Sequence, residues 1–140
     1  MYILRAMLKA LPIDGMLEEI VSAVRDHQNV VLTATPGAGK TTRLPPALLS
    51  AVSGKILVLE PRRMAAVAAT TRVCDERGWK IGTEAGYQVR FDSRVSRETR
   101  LIFMTDALAL RQLASDPELS GVGLVVIDEF HERNLNQDLM

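Results

Sequence analysis

Apolar residues recur along this chain in two rhythms, one helical and one of short unbroken runs. Between Asp14 and His27, the residues Met16, Leu17, Ile20, Val21 and Val24 are spaced for one face of a helix, with Asp14 placed as its N-cap. Val30-Val31-Leu32 is a short apolar run leading into Thr33-Ala34-Thr35-Pro36-Gly37, the pattern of a buried strand entering a glycine turn. Thr41 to Ala51 can be helical if Pro45-Pro46 lie in the first turn; otherwise they break it. A strand follows over Lys55 to Glu60, then an alanine-rich helix from Pro61 to Arg77, stopped by Gly78. Gly86 to Phe91 and Thr99 to Met104 read as further strands. Thr105 to Ala114 reads as a helix with Leu108, Leu110 and Leu113 partly buried. Leu124 to Ile127 is a last strand, closing on Asp128-Glu129.

Strands alternating with helices, and apolar on both faces, predict an α/β fold: a mainly parallel sheet with helices on both sides. In such sheets ligands bind beyond the carboxyl ends of the strands. The glycine turn and the acidic pair both fall at that edge.

Length and composition add bounds. A chain of 140 residues suits one domain. Met1 to Ala10 reads as a short N-terminal extension, with Arg5 and Lys9 interrupting any signal-peptide core, and residues 11–140 as the domain proper. No apolar run is long enough to span a membrane. Cys74 is the sole cysteine and reads as a packed thiol, so a reducing, cytoplasmic setting is expected. Net charge is zero, with 17 basic and 17 acidic residues, but the charge is not evenly spread. Arginine-rich sequence runs from Arg62 to Arg100 and acidic residues dominate after Leu113, a weak signal by itself.

The chemistry sits in two places. Ala34-Thr35-Pro36-Gly37-Ala38-Gly39-Lys40-Thr41 lies between a strand and a helix and matches a P-loop, except that Ala34 replaces the first glycine. Successive backbone N–H groups from Thr35 through Gly37, Ala38 and Gly39 would cradle phosphate oxygens, and glycine is needed where φ is positive. The helix that follows adds the positive end of its dipole. Lys40 would reach the β- and γ-phosphates of ATP, Thr41 would ligate Mg²⁺, and Thr42 could bond a phosphate. Asp128 is placed as the second Mg²⁺ anchor, and Glu129 to take a proton from a water attacking the γ-phosphate. A glycine turn before an ordinary helix, and acids at a helix N-terminus, are the plainer alternatives. His131 has two readings: a coupler passing nucleotide state to a second domain, or a hydrogen-bonded structural histidine.

Five motifs in order carry a resemblance: Gly37-Ala38-Gly39-Lys40-Thr41, then Leu59-Glu60-Pro61-Arg62-Arg63-Met64-Ala65-Ala66, then Gly86-Tyr87-Gln88-Val89-Arg90-Phe91, then Thr105-Asp106-Ala107-Leu108, then Asp128-Glu129-Phe130-His131-Glu132-Arg133. Together they resemble the DEAH-box RNA helicases of superfamily 2. Phe130 and the opening Leu11-Pro12-Ile13-Asp14 are similar to the bacterial HrpB-type branch. The resemblance implies an incomplete first RecA-like motor domain, truncated on its C-terminal side, that binds ATP·Mg²⁺ and single-stranded RNA, with DNA not excluded. It puts Arg62, Arg63 and Thr105 on the nucleic-acid backbone, Arg90 as a further basic contact, and Arg72 on the adenine. Simpler roles remain open: a surface arginine pair, and Thr105 as an N-cap. Ala107 departs from the family's usual glycine. A Ser-Ala-Thr motif and a second motor domain with arginine fingers are expected in cis beyond Met140; such a finger is worth about 10³–10⁵ in rate. The alternative to an ATPase is a module that holds nucleotide or RNA without catalysis.

Overall fold

The computed structural model describes residues 9–132 and 135–139. Most of the expected N-terminal extension, and Arg133 of the acidic motif, lie outside the described residues. A 3₁₀ turn, Pro12–Met16, leads into α1 (Leu17–Asp26). After the glycine loop at Gly37–Gly39 come α2 (Lys40–Leu48), β1 (Lys55–Glu60), α3 (Arg63–Arg77), β2 (Ala85–Val89), β3 (Asp92–Arg94), β4 (Leu101–Thr105), α4 (Asp106–Ser115) and β5 (Val122–Ile127). A short 3₁₀ turn, Phe130–Glu132, and α5 (Leu135–Leu139) follow.

The strands form one sheet in the order β3-β2-β4-β1-β5. All neighbours are parallel except β3, which folds back on β2. Ile56, Val58, Leu101 and Phe103 point to one face and pack with Ile20, Val21, Leu44, Leu48, Ala66 and Val73 of α1, α2 and α3. Leu57, Leu59, Ile102 and Met104 point to the other face, where Ala109 of α4 covers them. Helices therefore lie on both faces, and β1 and β4 are buried on both sides, as their unbroken apolar runs predict. Ladder order brings the carboxyl ends of β2, β4, β1 and β5 side by side, about 4.8 Å apart per strand.

Several expectations need correction, the first being Asp14, which lies inside the 3₁₀ turn while Met16 holds the N-cap position of α1. Val30-Val31-Leu32 pairs with no strand among the described residues: Val31 is 92% exposed and, of the three, Leu32 packs against the core. An apolar run reports a tendency to burial, whereas a strand also needs a partner edge, and β1 is β5's sole ladder neighbour among the described residues. Correspondingly β5 alternates between half-buried and exposed residues, with Val125 and Ile127 open to solvent. Pro45 and Pro46 lie inside α2 beyond its first turn, and the helix passes through them. Both rings are buried, and the helix ends two residues after Pro46, so the two missing N–H groups cost only the tail of a short helix. The strand expected over Gly86 to Phe91 stops at Val89. Arg90 and Phe91 form the tip of a hairpin with polar β3, and Phe91 sits at φ +67°.

The helix expected from Pro61 starts at Arg63, because Arg62 is still extended, and it ends on left-handed Gly78, whose N–H bonds Cys74 O. Cys74 is buried, and burial, then the charges of Glu84 and Asp75, pushes its thiol up to about 11. It is a packed, protonated thiol, not a nucleophile.

Candidate nucleotide site

The glycine loop is shaped by two left-handed residues, Gly37 at φ +77° and Gly39 at φ +99°. A β-carbon on Gly39 would stand 2.8 Å from Leu11 Cδ1 and 3.1 Å from Ile13 Cγ2, so that position is closed to larger residues on two grounds. The contact arises because the Pro12–Met16 turn is clamped onto the loop. Ile13 N–H donates to Ala38 O at 3.1 Å, and Leu11 N–H donates to the Asp14 carboxylate at 2.8 Å. Asp14 in turn accepts two hydrogen bonds from Arg43, at 2.9 and 3.1 Å. Arg43 Nε donates to Glu76 at 2.8 Å, and the other oxygen of Glu76 takes Arg72 Nε at 3.2 Å. One carboxylate on α3 thus links the loop's outer brace to the proposed adenine arginine.

Lys40, at the first position of α2, bends back onto the loop: its ammonium donates to Ala34 O at 2.6 Å and to Thr35 O at 3.4 Å. Thr41 turns the other way. Its hydroxyl donates to Asp128 Oδ2 at 2.5 Å, across 87 residues of sequence. Asp128 stands one residue beyond β5 and is held by its own N–H on Leu59 O and by Glu129 N–H on its Oδ1 at 2.8 Å. Glu129 adopts φ +51°, a costly conformation for a residue with a β-carbon, which turns its side chain away from the strand direction. Its carboxylate meets His131 Nε2 at 3.2 Å.

A cleft of about 440 Å³ opens between α3 and these strand ends, lined by Thr41, Thr42, Glu60, Arg72, Asp128 and Glu129. A smaller recess of about 250 Å³ follows the loop from Pro36 to Thr42 and also reaches Arg72 and Glu129. The structure therefore brings together Gly37, Ala38, Gly39, Lys40, Thr41, Thr42, Arg72, Asp128 and Glu129. Thr35 contributes its carbonyl. Arg62 also lines the larger cleft, 70% exposed and paired with Glu132 at 3.0 Å. Arg63 opens α3 on the exposed side. Arg90 stacks over the Phe91 ring at 4.8 Å from its centroid. Thr105 occupies the N-cap position of α4 but makes no capping hydrogen bond, so its hydroxyl is not used for that structural role.

Two participants were not singled out from sequence. Arg43 reads there as one more helical arginine; only folding shows that Asp14 and Glu76 flank it. Glu60 had a usable signal: like Asp128, it is a carboxylate closing a buried apolar strand. Glu60 is 2% exposed, and burial, then the neighbouring Asp128, Glu129 and Asp106, pushes its carboxyl from 4.5 up to about 8. The native state then keeps a proton that the unfolded chain releases near pH 4.5, so folding stability drops as pH rises from about 5 to about 8. The slope contributed is on the order of 1 kcal/mol per pH unit at most. Urea unfolding of the wild type minus that of Glu60→Gln should isolate this decline; a difference that grows more stable with pH would refute it.

A glycine loop whose lysine folds back onto the loop's own carbonyls and whose threonine meets a carboxylate beyond a parallel strand has the form of a P-loop domain. The relatives narrow the class. The DEAD/DEAH box helicase family profile matches residues 17–138, and the chain belongs to that family. It is 43% identical over 134 residues to the ATP-dependent RNA helicase HrpB of Escherichia coli (strain K12), covering 94% of this chain and 17% of that protein. It is 39% identical to the DExH-box ATP-dependent RNA helicase DExH1 of Arabidopsis thaliana, covering 98% and 14%. Among solved structures, the E. coli DExH-box NTPase HrpB superposes with a TM-score of 0.89 at 43% identity, over 94% of this chain and 17% of that one. The architecture matches the RecA-like fold of that structure, and the chain spans about a sixth of the length of these relatives.

Proposed function

We propose that residues 11–140 belong to the first motor domain of an ATP-dependent RNA helicase, acting in the cytoplasm, with a second motor domain supplied in cis. The observation that carries this reading is the Thr41–Asp128 contact, which sets the phosphate loop and the acidic pair against each other in one cleft. Thr41 Oγ1 and the Asp128 carboxylate are hard oxygen donors at the end of the loop, a set that fits Mg²⁺. Glu60 Oε1, buried in the same cleft with no hydrogen-bond partner, agrees with a missing polar occupant. Bound there, Mg²⁺ would neutralise charge on the β- and γ-phosphates.

The chain's own groups supply the rest. Lys40 leaves the Ala34 and Thr35 carbonyls for the phosphates, while the Gly37–Thr41 N–H groups cradle them. Arg72, held by Glu76, presents its guanidinium plane to the base. Glu129 receives the proton of the attacking water, and His131, in contact with that carboxylate and 77% exposed, passes its state to the second domain. For RNA, Arg90 lies beyond β2, Thr105 ends β4, and Arg62 and Arg63 lie beyond β1. Those strands are consecutive in the sheet, so the groups stand in a row along one edge, suited to phosphates without reading sequence.

Binding of a fluorescent ATP analogue with magnesium tests the nucleotide reading. Lys40→Ala should weaken it by about 100-fold, the loss of charge-assisted bonds worth roughly 2–3 kcal/mol. Undiminished affinity in the variant would remove the triphosphate from this loop.

A further inference from the structure

Glu60 ends β1 in register with Thr105 of β4, under the floor of the cleft that Thr41 and Asp128 share. It is one of the most deeply buried ionisable side chains described, at 2% exposure. Asp128 is the strongest of the charges that act on it, and its Oε1 has no hydrogen-bond partner among the described residues. Leaving a buried polar oxygen unsatisfied costs about 1–3 kcal/mol, and such orphans are rare in native proteins. A residue chosen for packing alone would be apolar here, since its strand neighbours Ile56 to Leu59 are all apolar and buried. The charges around it sharpen the point. Asp128, Glu129 and Asp106 all act on Glu60. The cationic groups lining the cleft, Arg62 and Arg72, are engaged by Glu132 and Glu76. Four acids therefore gather at three adjacent strand ends, while both arginines that line the cleft are engaged by other carboxylates. Such an assembly suits a hydrated divalent cation, and Mg²⁺ keeps much of its water shell when bound.

We propose, building on the nucleotide reading above, that Glu60 is a positioning residue of the magnesium site: one oxygen steers Asp128, and the partnerless Oε1 takes a water ligand of the cation. Its effect is on the cation and on Asp128, not on the nucleotide itself.

The test compares wild type, Glu60→Gln and Glu60→Met in two measurements. One is the magnesium concentration giving half-maximal binding of a fluorescent ATP analogue. The other is the thermal midpoint without nucleotide. Glu60→Met keeps the volume and removes both oxygens. It should raise the half-saturating magnesium roughly tenfold, as loss of groups behind a metal's ligands does, and leave magnesium-free nucleotide affinity unchanged. It should also raise the midpoint, by about 3 °C, because an unsatisfied buried acid is gone. Glu60→Gln, which retains an acceptor and a donor, should stay within about twofold of wild type in magnesium response. A methionine variant with the wild-type magnesium response overturns the proposal, as does a glutamine variant equally impaired. If methionine prevents folding, Glu60→Asp withdraws the carboxyl by one methylene and must show the same rise in magnesium; no rise overturns it. A wild type whose nucleotide binding ignores magnesium altogether would count against the nucleotide reading and not against Glu60 alone.

Discussion

In the two-domain helicase proposed above, Glu129→Gln should lower RNA-stimulated phosphate release by about 10²–10⁴-fold, the range lost with a general base. Nucleotide affinity should change by less than about threefold. The separation follows from where Glu129 stands. Its backbone N–H supports Asp128, a role that glutamine keeps. Its side chain is half exposed and borders both the large cleft and the loop recess. The left-handed backbone that aims it is costly for any side chain, and such outliers persist where function uses them. Glutamine preserves shape and hydrogen bonding but cannot take a proton at neutral pH. Single-turnover phosphate release alongside equilibrium nucleotide titration reads the two effects separately. Wild-type turnover in the variant would strip Glu129 of its role as base. A loss of affinity matching the loss of rate would make it a binding residue instead.

Arg43→Ala should be the most destabilising single change near the site, costing about 3 kcal/mol and lowering the thermal midpoint by roughly 10 °C. Arg43 is 13% exposed and serves Asp14, Glu76 and the carbonyl of Lys9 at once. Truncating it leaves Glu76, itself 14% exposed, with only the exposed Arg72 as partner. Breaking a buried ion pair by deleting one member costs more than the pair contributes, because the remaining charge is stranded. Asp14 is 30% exposed and still accepts the Leu11 N–H, so its stranded charge costs less than that of Glu76. Lysine should not rescue, since one ammonium cannot reproduce the fork that reaches both carboxylates. The brace on Gly39 should loosen as well, so nucleotide affinity falls with stability. A thermal midpoint within about 2 °C of wild type would show that the hub is dispensable.

Much of this molecule was legible before folding was considered. The unbroken apolar runs at Ile56–Leu59 and Leu101–Met104 specify strands buried on both faces, and those are the strands at the centre of the sheet. The Gly-x-Gly-Lys-Thr turn is local chemistry: positive φ at Gly37 and Gly39 is written in residue type. Asp128-Glu129 could be placed at a strand end because the run before it is apolar. Apart from helix bounds and the prolines inside α2, the reading failed on partners. Val30-Val31-Leu32 has a strand's composition and no ladder; the Arg90-Phe91 turn and polar β3 have a ladder with no hydrophobic rhythm to announce it.

The residue types, their local backbone and the left-handed glycine turn before α2 were determined by the chain itself, since each depends on neighbours a few positions away. Tertiary structure alone decided that Thr41 meets Asp128, that Arg43 ties Asp14 to Glu76, and that Glu60 lies buried with an oxygen to spare. Those facts depend on strand order and on which side chains are taken out of water together. Burial changes the energy of a charge or an unpaired oxygen far more than sequence context does.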